Sequence, residues 1–490
     1  MDIFDSILRL LQGGLGSLAA YLAAHVLLCL VPAFFIAGGM SALIPKEAIT
    51  RFLGRSAPKY VSYPAAALAG SLLAVCSCTI VPLFAGIYKK GAGIGPAITF
   101  LFFAPAANIL ALAYTGVAIG PDLAFARFFL SLTFGIGIGM IMALIFARSD
   151  TLHAQAADTL FGEGRGIRRA PAVFLVLMVA LLLAGTLKLD FLTGSYAQID
   201  LPIAGVDGFQ DTLYQLVPFD PSRGEEGVSA QGALLIGLLA LMGVTAWFGL
   251  EKVYEGFNRW LWISLGLVAL TLMVAALRLE PLSGRLAVYF TGKFFAVALL
   301  LAAIVYVGRS RLSQDELRDW LWESWRFIKQ IFPLLVVGVF AVGIIRPLIR
   351  PEWIEALAGE NTLLGNLAGV AFGVFMYFPT LVEVPIANLF LNLGMHRGPL
   401  LAYLMADPEL SLQSILIIST IIGKRKAWTY VAWVALFSTL AGLIYGAFVN
   451  GANALLIAAY LALFLAALGG GLWWVSRRGQ HALAIASDKA

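Results

Sequence analysis

Two apolar stretches of this chain carry the same order of glycine and proline at a constant offset of 303 positions (Pro82 to Pro385). The first reads VCSCTIVPLFAGIYKKGAGIGPAITFLFFAPAANI (Val75 to Ile109) and the second FPTLVEVPIANLFLNLGMHRGPLLAYLMADPEL (Phe378 to Leu410). Val81-Pro82 aligns with Val384-Pro385, Gly91 with Gly394, Gly95-Pro96 with Gly398-Pro399 and Pro105 with Pro408. Gly70 and Gly373 extend the match upstream, and Gly139 and Gly442 downstream, without a gap. Helix breakers duplicated inside apolar segments put unwound backbone near a membrane midplane, where transporters bind solutes.

The 490 residues are 60% hydrophobic and only 12% charged. Soluble chains carry about 25% charged residues. Apolar runs of about 20 residues recur along the sequence, which predicts an all-α polytopic membrane protein. Full spans are expected near 17–43, 94–118, 122–147, 170–188, 231–250, 258–277, 286–307, 326–346, 398–422, 427–448 and 453–476. That makes about 11. Two further apolar stretches, 62–88 and 363–392, each precede a Gly-Pro element and are either broken full spans or re-entrant hairpins.

Loop charge favours the hairpins. Residues 44–60 carry Lys46, Arg51, Arg55 and Lys59 against Glu47, residues 424–426 are Lys-Arg-Lys, and Arg477-Arg478 follow the last span. Residues 189–230 carry Asp190, Asp200, Asp207, Asp211, Asp220, Glu225 and Glu226 against Arg223. With 189–230 outside, all the basic segments fall on the cytoplasmic side only if both short stretches re-enter. Seven full spans then separate equivalent positions, so the two repeats are inverted. This places the N-terminus outside and the C-terminus in the cytoplasm. The net charge of +5 is read as the same loop bias, with no nucleic-acid partner expected.

The expected organisation is a first transmembrane repeat over 1–147, linking spans over 148–325, and a second repeat plus a C-terminal span over 326–490. The linking region includes a polar cytoplasmic loop (148–169) and the acidic outer loop (189–230). Residues 308–325 pattern as a surface amphipathic helix. The sequence contains no GxxxxGK[ST] phosphate loop, which excludes ATP hydrolysis by that route. The N-terminus lacks a basic region before its apolar run, so no cleaved signal peptide is expected.

The three cysteines are Cys29, Cys76 and Cys78. Cys76 and Cys78 flank Ser77 just before Pro82; their thiols share one side only on an extended backbone, so a paired soft-ligand site needs local unwinding. Small apolar filling is the alternative reading. Pro96 and Pro399 are placed to start helices at the first position. Pro105 and Pro408 then interrupt those helices, freeing carbonyls that need a partner. Asn108 follows the first break; Asp407 and Glu409 flank the second; Glu383 precedes Val384-Pro385, with Asn388 beyond it. Intramembrane carboxyls default to function, so Glu383, Asp407 and Glu409 are candidates for proton coupling, with an aqueous rim as the alternative. His25 with Cys29 on one helix face reads as packing, and Lys89-Lys90 as a solvated turn. His396 and Arg397 are either an anion-attracting loop or solvated.

The run CSCTIVPLFAGIYKKGAGIGPAITFLFFAPAANI resembles the signature of a family of predicted bacterial permeases that includes the ArsP-type efflux permeases for trivalent organoarsenicals. The resemblance is strongest over about 50–147 and 330–448. It implies a substrate site around Cys76, Cys78, Pro82, Gly95, Pro96, Pro105 and Asn108, with the matching elements Pro385, Gly398, Pro399 and Asp407; Ser77 and Asn388 are added to the expected substrate-binding set. The resulting expectation is an inner-membrane permease, not an enzyme, exporting a small and for example thiophilic solute by alternating access. A membrane thiol redox enzyme using Cys76 and Cys78, or an ion channel, are the alternatives. Solute and membrane lipids are the expected partners; no cofactor or metal ion is expected.

Overall fold

The computed structural model describes residues 3–470, apart from 25–27, 29, 45, 55–56, 73–76, 108, 161–167, 188, 204, 218, 221–224, 283–284, 346–347, 349–350, 376–382, 454, 456, 460, 465 and 468. His25, Cys29, Cys76 and Asn108 therefore lie outside the described residues. For Ser77, Cys78 and Pro385 only the backbone is described.

The chain opens with α1 (Ile3–Ala24), α2 (Val31–Leu43) and α3 (Lys46–Leu53). The first repeat continues through α4 (Lys59–Leu72), α5 (Ser77–Lys89), α6 (Ile94–Ala106), α7 (Ile109–Ala118) and α8 (Pro121–Ile145). The linking region runs α9 (Ala147–Leu160), α10 (Arg169–Thr186), α11 (Asp190–Thr193), β1 (Ser195–Leu201), α12 (Val206–Leu216), β2 (Phe219–Asp220) and β3 (Glu225–Glu226). Next come α13 (Ala230–Gly249), α14 (Arg259–Ala276), β4 (Arg278–Leu282), β5 (Arg285–Thr291) and α15 (Gly292–Arg311). The rest is α16 (Gln314–Ile345), α17 (Pro351–Ala358), α18 (Leu363–Phe375), α19 (Glu383–Asn392), α20 (Arg397–Leu410), α21 (Leu412–Ile422) and α22 (Lys424–Val449). A shift of 303 lays α4–α8 onto α18–α22 element by element, so the duplication seen in glycine and proline extends to the whole five-helix unit.

Seven described helices are long and apolar enough to cross a membrane, and eight when α20 and α21, bent by 47°, count as one. These match eight of the expected spans. Expected span 17–43 is instead α1 and α2, and 94–118 is α6 and α7. The span at 453–476 is described only in part. Residues 314–325 are not a separate surface helix but the first turns of the 32-residue α16. The acidic segment 189–230 is not an irregular loop: β1 pairs antiparallel with β5, and β5 with β4, with Arg285 Nη1 2.9 Å from Asp200 Oδ2.

Both short stretches re-enter. Gly93 N donates to Leu53 O (2.7 Å), beside a bridge between Gly54 and Ala92, so the chain enters before α4 and leaves after α5 at one place. His396 N donates to Ala358 O (2.9 Å) and does the same for α18 and α19. At 14 and 10 residues, α4 and α19 span only about 21 and 15 Å, short of a hydrocarbon core of about 30 Å.

The hairpins open to opposite faces, and α8 measures the distance between them. Just beyond its C-terminal end, Asp150 Oδ1 accepts from Ile94 N (2.9 Å) at the exit of the first hairpin. At its start, Asp122 is 2.9 Å from Arg397 Nη1 and accepts from Tyr445 Oη (2.7 Å) at the exit of the second. Its 25 residues are about 37 Å long, enough to cross. The repeats are therefore inverted. Phe134 and Phe437, equivalent by the shift of 303, face each other with ring centroids 4.8 Å apart and so straddle the pseudo-twofold axis. Reciprocal contacts obey it too: α5 meets α21, and α7 meets α19.

We call the face holding Lys59, Lys89 and Lys426 the basic face, and that holding β1 and Asp122 the acidic face. On the basic face Lys89 pairs with Glu323, and Lys426 Nζ lies 3.2 Å from Tyr88 Oη. Hydrogen bonds from Lys329 (2.6 Å) and Trp325 (2.5 Å) hold the Glu251 carboxyl below the usual carboxylate range.

The centre is α6 and α20. Every residue of α6 is buried, and so is every residue of α20 from Gly398 on. Helices apolar on all sides occur where neighbours surround them. In lipid, such contacts rest on close packing of small residues. Gly95 lies against Gly139 so tightly that a methyl on Gly139 would come within 2.6 Å of Gly95 O; Gly398 O and Gly442 repeat this at 2.6 Å. Gly70 sits on the backbone of Ala104 and Gly373 on that of Asp407, again one shift apart.

Two outcomes are expected. In a cysteine-free background, Lys59→Cys and Glu360→Cys should react with an impermeant maleimide from opposite sides of sealed vesicles; labelling from one side would refute the inversion. Gly139→Val and Gly442→Val should each lower the melting temperature sharply and the yield of monodisperse protein. Gly237→Ala, with open space around it, should behave as the parent.

Candidate functional site

The breaks expected at Pro105 and Pro408 are present. Proline removes the donor that would have bonded Leu101 O and Leu404 O. The first helix stops at Ala106, and the second turns at Ser411 into α21. The terminal carbonyls of such helices need donors from elsewhere.

Arg127, about two turns into apolar α8, supplies one. It is wholly buried. Its Nε donates to Ala106 O (2.7 Å), its Nη1 to Thr115 Oγ1 (3.2 Å) on α7, and its Nη2 to Glu383 Oε1 (2.5 Å) at the start of α19. Thr115 in turn donates to Ala111 O (2.7 Å). One guanidinium thus caps α6 at its negative end, holds α7 beside the break, and reaches the hairpin of the other repeat. Both members of the Arg127–Glu383 pair are fully buried. Removing one partner of such a pair costs about 3–5 kcal/mol, because the survivor is left charged and alone.

A shift of 303 carries Arg127 to Tyr430 and Ala106 to Glu409. Tyr430 Oη donates to Glu409 Oε2 (2.7 Å). The second repeat thus keeps the helix-break contact but replaces guanidinium and carbonyl by phenol and carboxyl. Glu383 Oε2 and Glu409 Oε1 have no hydrogen-bond partner among the described residues, and the two carboxyls lie within electrostatic reach of each other. Asp407 is also buried and packs its backbone on Gly373.

The structure divides the residues expected in the site. Glu383, Asp407, Glu409, Pro105 and Pro408 belong to the buried break region. Gly95, Pro96, Gly398 and Pro399 do not adjoin the breaks. They form the first turns of α6 and α20 about 15 Å away along each helix, where the glycines serve close packing. Pro96 and Pro399 occupy the third helical position rather than the first, which is harmless because that N–H has no helical partner. Pro82 lies inside α5 and is buried. Asn388 is exposed on α19 and stands apart from the cluster. Ser77 and Cys78 begin α5, so any unwinding that pairs Cys78 with Cys76 lies upstream of Ser77.

His396 and Arg397 are engaged rather than solvated. His396 Nδ1 accepts from Gly398 N (3.0 Å) and caps α20, while Arg397 grips Asp122. Lys89 is likewise an ion-pair partner, of Glu323. Sequence reasoning missed Arg127 and Tyr430. Two signals pointed to them: a lone arginine within a span of high hydropathy, and its equivalence through the 303 shift to a tyrosine one helix beyond Glu409.

The ArsP_1 family, described as predicted permease, matches residues 13–447. The chain belongs to this predicted permease family. UPF0718 protein MJ0584 of Methanocaldococcus jannaschii is 33% identical over 448 residues, 91% of this chain and 98% of the relative. UPF0718 protein YraQ of Escherichia coli is 27% identical over 118 residues, 24% of this chain and 34% of the relative. No solved structure matches significantly. Membership of a permease family agrees with an inverted repeat whose breaks carry buried charge.

Arg127→Met should destabilise the detergent-solubilised protein by about 3–5 kcal/mol, since it strands Glu383. Arg127→Met with Glu383→Leu should recover most of the lost melting temperature without recovering transport. A double variant no more stable than the single one would show that the pair is not the origin of the loss.

Proposed function

We propose that this permease exports a small thiophilic solute, for example a trivalent organoarsenical, across the bacterial cytoplasmic membrane by alternating access. The observation that carries the reading is the Arg127–Glu383 pair, because it joins the helix break of one inverted repeat to the hairpin of the other. A site so built responds as a unit when the repeats move against each other. The positive-inside rule makes the basic face cytoplasmic, with the acidic sheet outside and the C-terminus inside.

In this mechanism Cys76 and Cys78 take the solute, since thiolates favour soft centres. Glu383 and Glu409 carry the coupling proton. A proton reaching Glu383 neutralises the carboxylate that holds Arg127, so the tip of α19 is released while Arg127 stays on Ala106 O and Thr115. Glu409, bonded to Tyr430 by one oxygen only, offers a second place where a bound proton removes charge from the apolar interior. Asp122 with Arg397 and Tyr445 closes the acidic face; Lys89 with Glu323 and Lys426 with Tyr88 close the basic one.

Expression in an arsenic-sensitive host should lower cellular accumulation of methylarsenite. Cys76→Ser with Cys78→Ser should abolish the effect. Glu409→Gln should keep solute binding but remove the response to an imposed proton gradient in vesicles. Unaltered accumulation with the parent chain would eliminate the arsenical, and a gradient response intact in both Glu383→Gln and Glu409→Gln would eliminate proton coupling at these residues.

A further inference from the structure

A cavity of about 220 Å³ lies between α2, α10, α14, α15 and α16, away from the break cluster. Its wall is apolar; Phe35, Met178, Leu265, Ile304 and Trp320 are representative. Among the described residues Arg309 is its one charged lining residue. A shallower groove outside, along Ala302, Tyr306 and Ser310, shares Ala269, Leu301, Val305 and Arg309 with the cavity, and these four form a doorway. Val305 and Tyr306 are exposed at 57% and 67%, on the surface that meets lipid.

The cavity has a direction. It follows α15 from Arg309 to Leu301 and α14 from Leu261 to Leu272, about 12 and 16 Å along helices that cross the membrane. Its cationic end is at the basic face and its blind end near mid-membrane. A second guanidinium stands over the mouth: Arg318 lies 5.4 Å above the ring of Phe257, which lines the cavity, and its buried Nε has no hydrogen-bond partner among the described residues. The neighbouring carboxylates are committed: Glu316 to Arg168, Asp319 to Tyr254 Oη, and Asp315, mostly exposed, at 3.6 Å from Arg318 Nη1.

A long apolar slot along the membrane normal, entered sideways from lipid and topped by cations, matches one class of molecule. We infer that it binds one acyl chain of an anionic phospholipid from the basic-face leaflet, with the headgroup on Arg309 and Arg318. The transported solute is a poorer match, because the slot opens into lipid rather than to either aqueous face. The inference stands apart from the identity of the solute.

Trp320 reports from the inner wall, its indole Nε1 bonded to Phe35 O and its ring against Phe174. In vesicles containing tail-brominated phosphatidylglycerol, the Trp320 emission (parent minus Trp320→Phe) should be quenched. Brominated phosphatidylcholine should need roughly fivefold more for the same effect, the worth of one charge–headgroup contact. Arg309→Gln together with Arg318→Gln should erase that headgroup preference and keep the tail quenching. Ala269→Phe, which narrows the doorway, should protect Trp320 but not the exposed Trp428 of α22, which does not line the cavity. Native mass spectrometry of the detergent-purified parent should show retained anionic phospholipid. Equal potency of the two lipids, unchanged Trp320 quenching in Ala269→Phe, or co-purified lipid without anionic enrichment would overturn the site. Relief of quenching by methylarsenite would also do so, by assigning the slot to the solute.

Discussion

A helix that ends within a membrane leaves carbonyl groups where no water can reach them, and the rest of this structure follows from how those groups are satisfied. In the first repeat the answer is a guanidinium driven through the apolar interior of α8 to Ala106 O. A lone cation there is expensive, so it requires an anion. Glu383 supplies it from the other repeat and thereby ties the second hairpin to the first break. Glycines at each helix crossing then let the backbones approach closely enough for these contacts to be direct.

The linking helices also have a topological task. Inversion requires an odd number of crossings between equivalent points, and α8, α10, α13, α14, α15 and α16 with one broken span provide it. The three-stranded sheet on the acidic face belongs to the same linker, tying the 189–230 segment to the connection between α14 and α15. Sheet and linking helices thus pack chiefly on α1, α2 and α16 rather than on the duplicated units.

Much of this was legible in the sequence for a physical reason. Glycine and proline are constrained by backbone geometry, which both repeats share, so they kept register while other side chains diverged. Loop charge then separated hairpins from full spans. What the residues could not distinguish was a glycine needed for helix contact from one needed for a solute, because both require only a missing Cβ; the structure shows Gly95 and Gly398 at helix contacts. Asn388, five residues past Glu383, lies about 140° around α19 from it and is exposed. The division of 17–43 between α1 and α2 was hidden because hydropathy is averaged over a window, and the first turns of α16 share their period with a surface helix. Arg127 was overlooked because its partners lie 12 to 256 positions away, and only the fold brings them together.

The pairing of Ala106 with Glu409 has one more implication. If both halves were chemically identical, a motion that exchanged their shapes would lead to a state of equal free energy. Here one half meets its break with a permanent charge and a peptide oxygen, the other with a phenol that donates to a carboxyl able to gain or lose a proton. The degeneracy is lifted by side-chain chemistry alone, so a preferred resting orientation needs no regulatory domain.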